Sequence, residues 1–370
     1  FNVYPDNQHE THSQYLSYME ENGITAFAVR NLRWWWPEAP GAAYLAEVDV
    51  QLSLQQNIYA IRQLIRENEI DVVISNTANL YQGCLAAAFE EVSHVWLIHE
   101  FPSHEFAYYK EKIAFMSQQT DKVFAVVGNL NRALQPLFTE QTVEIFVPYS
   151  QVADRDLLPA EMNRIVSIGR INENKNQLEL LRAYRRLGEQ RPPLILIGDW
   201  DADYKEKCDA YIEKWQLKDV EFLGHQSNPW DFVTESDICV YTSQSETFSL
   251  VFTESILYGV PTIASDNLGY QSAREMFQTG TLYPLGDVDE LTNLIKTHLI
   301  HFSEYKKASV RSKQAARELY TLEHCYQAVW ESLGKLEPPK NKTISALSGL
   351  IGQVDFDHLH SRLQDQTVTI

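Results

Sequence analysis

The feature that most constrains this chain is a rhythm of short runs that are apolar on consecutive positions, set between segments with helical patterning. The runs are FNVYP at the start, TAFAV at 25–29, DVVIS at 71–75, HVWLI at 94–98, KVFAVV at 122–127 and VEIFVP at 143–148. Runs apolar on adjacent positions suit strands buried on both faces, and most segments between them are long enough for crossover helices. That pattern predicts a parallel α/β sheet.

Beyond Pro148 the rhythm restarts with RIVSIG at 164–169, LILIG at 194–198, VEFLG at 220–224, DICVYTS at 237–243 and VPTIAS at 260–265. Helical patterns over 176–187, 204–215 and 253–258 lie between them. A chain of 370 residues is too long for one ordinary core. The reading is therefore two doubly wound domains, joined across the polar, proline-flanked stretch 147–159 and facing a cleft at the carboxyl ends of both sheets. The expected segments are 1–150, 151–303, a helix over 304–336 broken near 319–323, and a tail over 337–370. Pro338 and Pro339 mark the start of that tail because consecutive prolines cannot continue a helix. Its apolar patch, 344–351, reads as a docking helix without an assigned role.

Composition narrows the classes. A formal net charge of -19 opposes nucleic acid as a partner, since such binding needs a concentrated basic surface. Lys110, Lys112 and Lys122 form a small patch that suits anionic lipid or, equally simply, an ordinary solvated face. No run approaches the roughly 20 apolar residues that span a bilayer. The sequence opens directly on a strand-like run with no basic-then-apolar leader, and Cys84, Cys208, Cys239 and Cys325 are dispersed without metal-ligand spacing. The expectation is a cytoplasmic chain with buried free thiols, in contact with a membrane at most peripherally.

Two constellations carry chemistry. Strand RIVSIG runs into Arg170, and Lys175 follows just before a helix. A strand end that leads into a helix amino terminus suits an anion, and two cations there invite a diphosphate. The alternative is a pair of solvated loop cations. In the second constellation, Glu246 follows strand DICVYTS and Glu254 lies eight residues later on the next helix, with the amides of Phe248, Ser249 and Leu250 between them. One carboxylate can face a cleft while the other accepts hydrogen bonds from vicinal hydroxyls, or both are ordinary surface acids. Asp201-Ala202-Asp203 resembles a metal-binding Asp-x-Asp but sits at a helix start, where acids cap amides. No metal site is expected.

Together these residues resemble the family-4 glycosyltransferases. The strand-G-R-x4-K pattern appears as Gly169, Arg170 and Lys175, and the E-x7-E pattern as Glu246 and Glu254. Ser255, Gly259, Pro261, Ile263 and Asp266 complete the following S-x3-G-x-P-x-I-A-S-D element. The resemblance, firm over roughly residues 70 to 335, implies a GT-B fold and a retaining, metal-independent transferase. It would move a sugar from a nucleoside diphosphate sugar to a glycan or lipid-linked acceptor, with no cofactor. Carried over, Arg170 and Lys175 hold the diphosphate and stabilise it as a leaving group, Glu246 contacts the donor sugar, and Glu254 accepts the ribose hydroxyls. The amides of Phe248, Ser249 and Leu250 bind sugar or phosphate, and His99, at the end of HVWLI, faces the donor sugar from the first domain. His225 borders the nucleobase or is a plain loop residue. The resemblance leaves homo- and hetero-oligomeric forms open.

The chain departs from that family in two places. Two glycines common in the E-x7-E loop are Thr247 and Ser249 here, which limits backbone freedom. At the start, FNVYP reads as a short strand, with truncation of its beginning as one reading, and the loop 6–13 contains no glycine. His9, Glu10 and His12 offer side chains there in place of backbone, or form a solvated loop. Trp34, Trp35 and Trp36 suit a sugar or lipid platform or part of the core. Two other functions stay open: a non-catalytic nucleotide-sugar-binding partner of an active transferase, and a nucleotide-sugar epimerase, for which no acid/base set is evident.

Overall fold

The computed structural model describes residues 1–5, 12–29, 36, 39, 47–189 and 191–336. The loop 6–11, Trp34, Trp35 and the tail 337–370 lie outside the described residues, and so do His9 and Glu10. The chain divides into two compact units: Phe1–Phe124, Leu134–Glu144 and 332–336 in the first, Ala125–Ala133 and Ile145–Glu331 in the second.

The first unit opens with β1 (Asn2–Pro5), α1 (His12–Glu21) and β2 (Ala26–Val29), followed by α2 (Glu47–Glu67) and β3 (Val72–Ser75). Next come α3 (Gln82–Phe89), β4 (Ser93–Ile98), α4 (Ile113–Gln119) and β5 (Lys122–Val126); the chain then passes through α5 (Asn129–Leu134), most of which belongs to the second unit, before β6 (Val143–Phe146). Helix α2 buries Leu54, Ile58, Ile61 and Ile65, spaced three and four apart so that they share one face. Strand β4 is buried along its whole length, as expected for a strand covered on both sides.

The sheet of this unit is not continuous. Strands β3-β4-β5-β6 form one four-stranded sheet, while β1 pairs in parallel with β2 in a separate two-stranded piece. Val3 and Phe27 on that piece and Val72 and Ile74 on β3 line a largely apolar cavity in this unit. Helix α1 begins at His12, two residues before the expected start. Trp36 is fully buried, stacks on Tyr81 with ring centroids 4.1 Å apart and donates to the Ala78 carbonyl, so this tryptophan is core. Lys122 pairs with Glu144 at 2.8 Å, and Lys112 lies over the Trp36 ring.

The second unit contains β7 (Arg164–Ile168), α6 (Gln177–Arg186), β8 (Leu194–Ile197), α7 (Ala202–Lys214), β9 (Val220–Gly224) and β10 (Asp237–Tyr241). It continues with α8 (Leu250–Leu257), β11 (Thr262–Ser265), α9 (Leu268–Phe277), β12 (Thr281–Tyr283) and α10 (Val288–Ile300). Helices α11 (Phe302–Leu319), α12 (Leu322–Cys325) and α13 (Gln327–Leu333) follow, with the break at Tyr320 and Thr321. The strand order is β12-β11-β10-β7-β8-β9, and each pair is parallel. The chain thus builds outward from β7 in one direction, returns to its other side at β10, and builds outward again. That reversal creates a topological switch point between β7 and β10, where the loops leaving the two carboxyl ends diverge and open a crevice.

Helix α6 packs Leu180, Leu181 and Tyr184 into the core of this unit. Helix α11 docks through Arg317, which donates to the Leu257 and Ala153 carbonyls, and the Tyr320 hydroxyl just beyond it donates to the Pro148 carbonyl. Among the described residues no helix is long and apolar enough to cross a membrane. All four cysteines are buried free thiols.

Candidate functional site

The switch point brings two sequence-distant loops together. Residues 170–176 leave β7 and residues 242–246 leave β10, and hydrogen bonds lace the loops into one surface. The Gln244 amide donates to the Asn174 carbonyl at 2.7 Å, the Asn174 side chain donates to the Ser245 carbonyl at 3.1 Å, and the Thr242 hydroxyl donates to the carbonyls of Lys175 and Asn176. This lacing carries Lys175 to Glu246, where Nζ lies 2.5 Å from the carboxylate. The two side chains are only 25% and 12% exposed, so the pair is shielded from much of the screening that weakens surface ion pairs.

Glu246 is braced from behind. A Cβ added at Gly269 would stand 2.4 Å from the Glu246 carbonyl oxygen and 2.6 Å from its Cβ, so the Glu246 loop rests on the first turn of α9 at a position only glycine can occupy. Asn267 caps that turn by accepting from the Gly269 and Tyr270 amides, and its side-chain amide donates to the Ser243 carbonyl. The fully buried Tyr270 hydroxyl lies 2.9 Å from Ser243 Oγ. Burial, followed by the neighbouring Glu246 charge, holds that phenol far above its ordinary range, so it stays protonated.

Arg170 follows Gly169, and the ends of β7 and β8 approach closely enough that a Cβ at Gly198 would fall 2.1 Å from the Gly169 carbonyl oxygen. The Arg170 guanidinium binds Asp201, with Nε and Nη2 at 2.7 and 2.6 Å from the same carboxylate oxygen. This corrects the expectation that Asp201 caps amides. It occupies the residue before α7, but its carboxylate caps none of them and takes the guanidinium instead, because a charged donor outcompetes a backbone amide. Among the described residues no group of three or more His, Cys, Asp and Glu side chains is placed to hold a metal ion.

The loop after Glu246 turns into α8 at Leu250, three residues before the expected start. Phe248 is buried against Phe277, and Leu250 is exposed. Among the described residues nothing accepts from the amides of Phe248, Ser249 and Leu250. Ser249 takes φ +73° and ψ +100°, a left-handed backbone at the position before the helix, and its hydroxyl makes no cap. A residue that caps normally has an extended, negative-φ backbone, so serine is held here without its usual reward.

Glu254 sits on α8 and shares no bond with Glu246. One oxygen accepts from Ser150 Oγ at 2.7 Å and the other from Trp230 Nε1 at 2.7 Å. No sequence spacing links positions 150, 230 and 254, so the first two were not legible as neighbours of Glu254; Asp201 was noticed only as a cap. His225 is exposed. His99, in the first unit, follows β4 with Nε2 2.8 Å from the Asn76 side-chain oxygen, and burial lowers its pKa while the adjacent Glu100 charge opposes that shift.

Residues 152–318 match the sequence model of the family described as Glycosyl transferases group 1. An uncharacterised glycosyltransferase of Methanocaldococcus jannaschii is 33% identical over 102 residues, which cover 27% of this chain and 25% of that one. The Campylobacter jejuni enzyme named N-acetylgalactosamine-N,N'-diacetylbacillosaminyl-diphospho-undecaprenol 4-alpha-N-acetylgalactosaminyltransferase is 28% identical over 157 residues, covering 40% of this chain and 42% of that one. The chain therefore spans less than half the length of these relatives. The crystal structure of Anabaena HepE in complex with UDP and glucose superposes with a TM-score of 0.69 at 17% identity, covering 90% of this chain and 99% of the other. That likeness establishes the fold, α/β of the GT-B class with two Rossmann-like units.

Proposed function

We propose, from the premise that residues 152–318 carry the group 1 glycosyl transferase pattern, that this chain is a retaining glycosyltransferase. It moves a sugar from a nucleoside diphosphate sugar to a glycan or lipid-linked acceptor without a metal ion. The observation that carries this reading is the Lys175–Glu246 contact at the switch point, with Arg170 on the neighbouring strand end. A cation and a carboxylate held together at the place where this fold binds ligands can receive a diphosphate and the sugar attached to it.

In this reading the diphosphate takes Lys175 from Glu246 and Arg170 from Asp201. The released Glu246 carboxylate then accepts from hydroxyls of the donor sugar. As the bond from sugar to phosphate lengthens, negative charge grows on the leaving diphosphate, and two fixed cations with the free amides of 248–250 stabilise it. Donors aimed at developing charge make the largest single contribution in many enzymes. The acceptor attacks from the face the phosphate leaves, and the phosphate takes its proton. Glu254 holds the ribose. The acceptor class is suggested by the Campylobacter relative, whose name specifies an undecaprenol-linked acceptor.

The test is thermal shift and calorimetry with nucleoside diphosphates in chelator, followed by transfer assays. We expect stabilisation without metal, weakening of about 10- to 150-fold in Glu254→Ala, and a loss of transfer with retained nucleotide affinity in Glu246→Ala. Binding that appears only with magnesium or manganese would refute the metal-free mechanism. Unchanged affinity in Glu254→Ala would remove that residue from the ribose site.

A further inference from the structure

Glu254 is held by donors from two other parts of the second unit, one on each carboxylate oxygen. Ser150 comes from the segment after β6, and Trp230 from a single 3-10 turn, Pro229–Phe232, between β9 and β10. Each donates to a different carboxylate oxygen at 2.7 Å. Neither donor is loosely placed. Trp230 is 4% exposed and its ring lies against Tyr258, with centroids 4.7 Å apart. The Ser150 amide donates to the Tyr320 hydroxyl at 2.8 Å, and that hydroxyl donates to the Pro148 carbonyl at 2.8 Å.

An ionised carboxylate offers about four lone-pair directions, two on each oxygen. With one direction on each oxygen taken by the protein, one remains on each. Two acceptor positions, one on each oxygen of a carboxylate the protein holds in place, can serve two hydroxyls on adjacent carbons. We propose that Trp230 and Ser150 are positioning residues that clamp Glu254 so that its remaining lone pairs face the vicinal hydroxyls of a nucleotide ribose. This rests on the donor reading above and adds how ribose is selected. An unclamped carboxylate on a helix would rotate among staggered conformers, and ordering it would cost part of the binding energy. Held from two sides, it meets the ribose already oriented.

The clamp predicts coupling between a protein group and a ligand group that do not touch each other. Calorimetric affinities are measured for UDP, GDP and their 2′-deoxy forms, with the wild type, Trp230→Phe and Ser150→Ala. In the wild type, removal of the 2′-hydroxyl should weaken binding by about 10-fold or more, the loss of one hydrogen bond to a charged acceptor. In Trp230→Phe that penalty should fall to about 2- to 3-fold, because a misoriented carboxylate gains little from either hydroxyl. Ser150→Ala should reduce the penalty in the same direction, and it guards against a Trp230 variant that fails to fold.

A merely structural role would weaken all nucleotides equally and leave the 2′-deoxy penalty at its wild-type value, which overturns the clamp while leaving the donor reading intact. A folded wild type that binds neither diphosphate overturns both together. A wild type that binds ribo and deoxy forms equally overturns the assignment of Glu254 to the ribose, and the clamp with it.

Discussion

Ser249 offers the sharpest test of how this site is built. It holds φ +73° and ψ +100° at the entry to α8, where its hydroxyl caps nothing. For a residue with a Cβ, a left-handed backbone costs about 1–2 kcal/mol. Replacement by glycine removes that cost but frees the unfolded chain, which takes back about 0.4–1 kcal/mol. The net expectation is a gain of about 0.5–1 kcal/mol, or a midpoint about 1–4 °C higher for a domain of this size. Ser249→Ala is the necessary companion, since it removes the same hydroxyl and keeps the strained backbone. Urea and thermal unfolding should therefore rank glycine above both, with alanine level with serine or slightly above it, because the hydroxyl it removes is buried without a partner. If glycine proves no more stable than alanine, the left-handed backbone is not strained and the argument fails.

Two further outcomes follow from charge. Asp201→Asn should bind nucleoside diphosphate severalfold more tightly, because Arg170 no longer has a competing carboxylate, while the thermal midpoint barely moves. The pair is about half exposed, and such solvent-screened pairs add little to stability; weaker nucleotide binding, seen by calorimetry, would refute the competition. Acidification should destabilise the fold below pH 6.5. Burial lowers the pKa of both His99 and His298 from 6.5, against opposing contributions from the Glu100 charge and the Leu294 carbonyl respectively. The unfolded chain then binds more protons in that window, so the histidine contribution to stability is complete above 6.5 and is lost as pH falls through the lower folded values. In His298→Asn the fall in unfolding midpoint between pH 7.5 and 5.5 should be shallower, and an unchanged slope would remove this histidine from the acid response.

The second unit was legible because its signals are local. Five consecutive-apolar runs became β7 to β11, and the helical patterns between them became α6 to α8. The doubly wound class followed from alternation, while the strand order and the short β12 were not separately read. The site was legible only where residues flank those runs. Arg170, Lys175 and Glu246 each follow a strand, and the adjacency of β7 and β10 brings Lys175 to Glu246. Trp230 and Ser150 were invisible because neither lies in a periodic run, and their approach to Glu254 depends on how a 3-10 turn and the segment after β6 pack. Asp201 shows a different limit. Its place at a helix start was correctly read, yet the nearest strong donor, and not the helix, decided where its carboxylate points. In the first unit the strands were found, but the break between β1 and β3 depends on pairing, which no run of residues encodes.

The self-paired charges of the candidate site have a consequence for selectivity among anions. Phosphate, carboxylates and nucleoside monophosphates are abundant, and bare adjacent cations would collect them. Here Lys175 and Arg170 each have a protein carboxylate in place, so a visiting anion must displace one before it gains anything. A small anion that engages one cation gains little beyond what it disrupts. A ligand that engages both, and also offers hydroxyls to the freed Glu246, recovers what it breaks at several points at once. On the proposed reading the two ion pairs act as a threshold: occupancy would depend on how many groups a ligand presents together, and free phosphate would gain less than a whole donor.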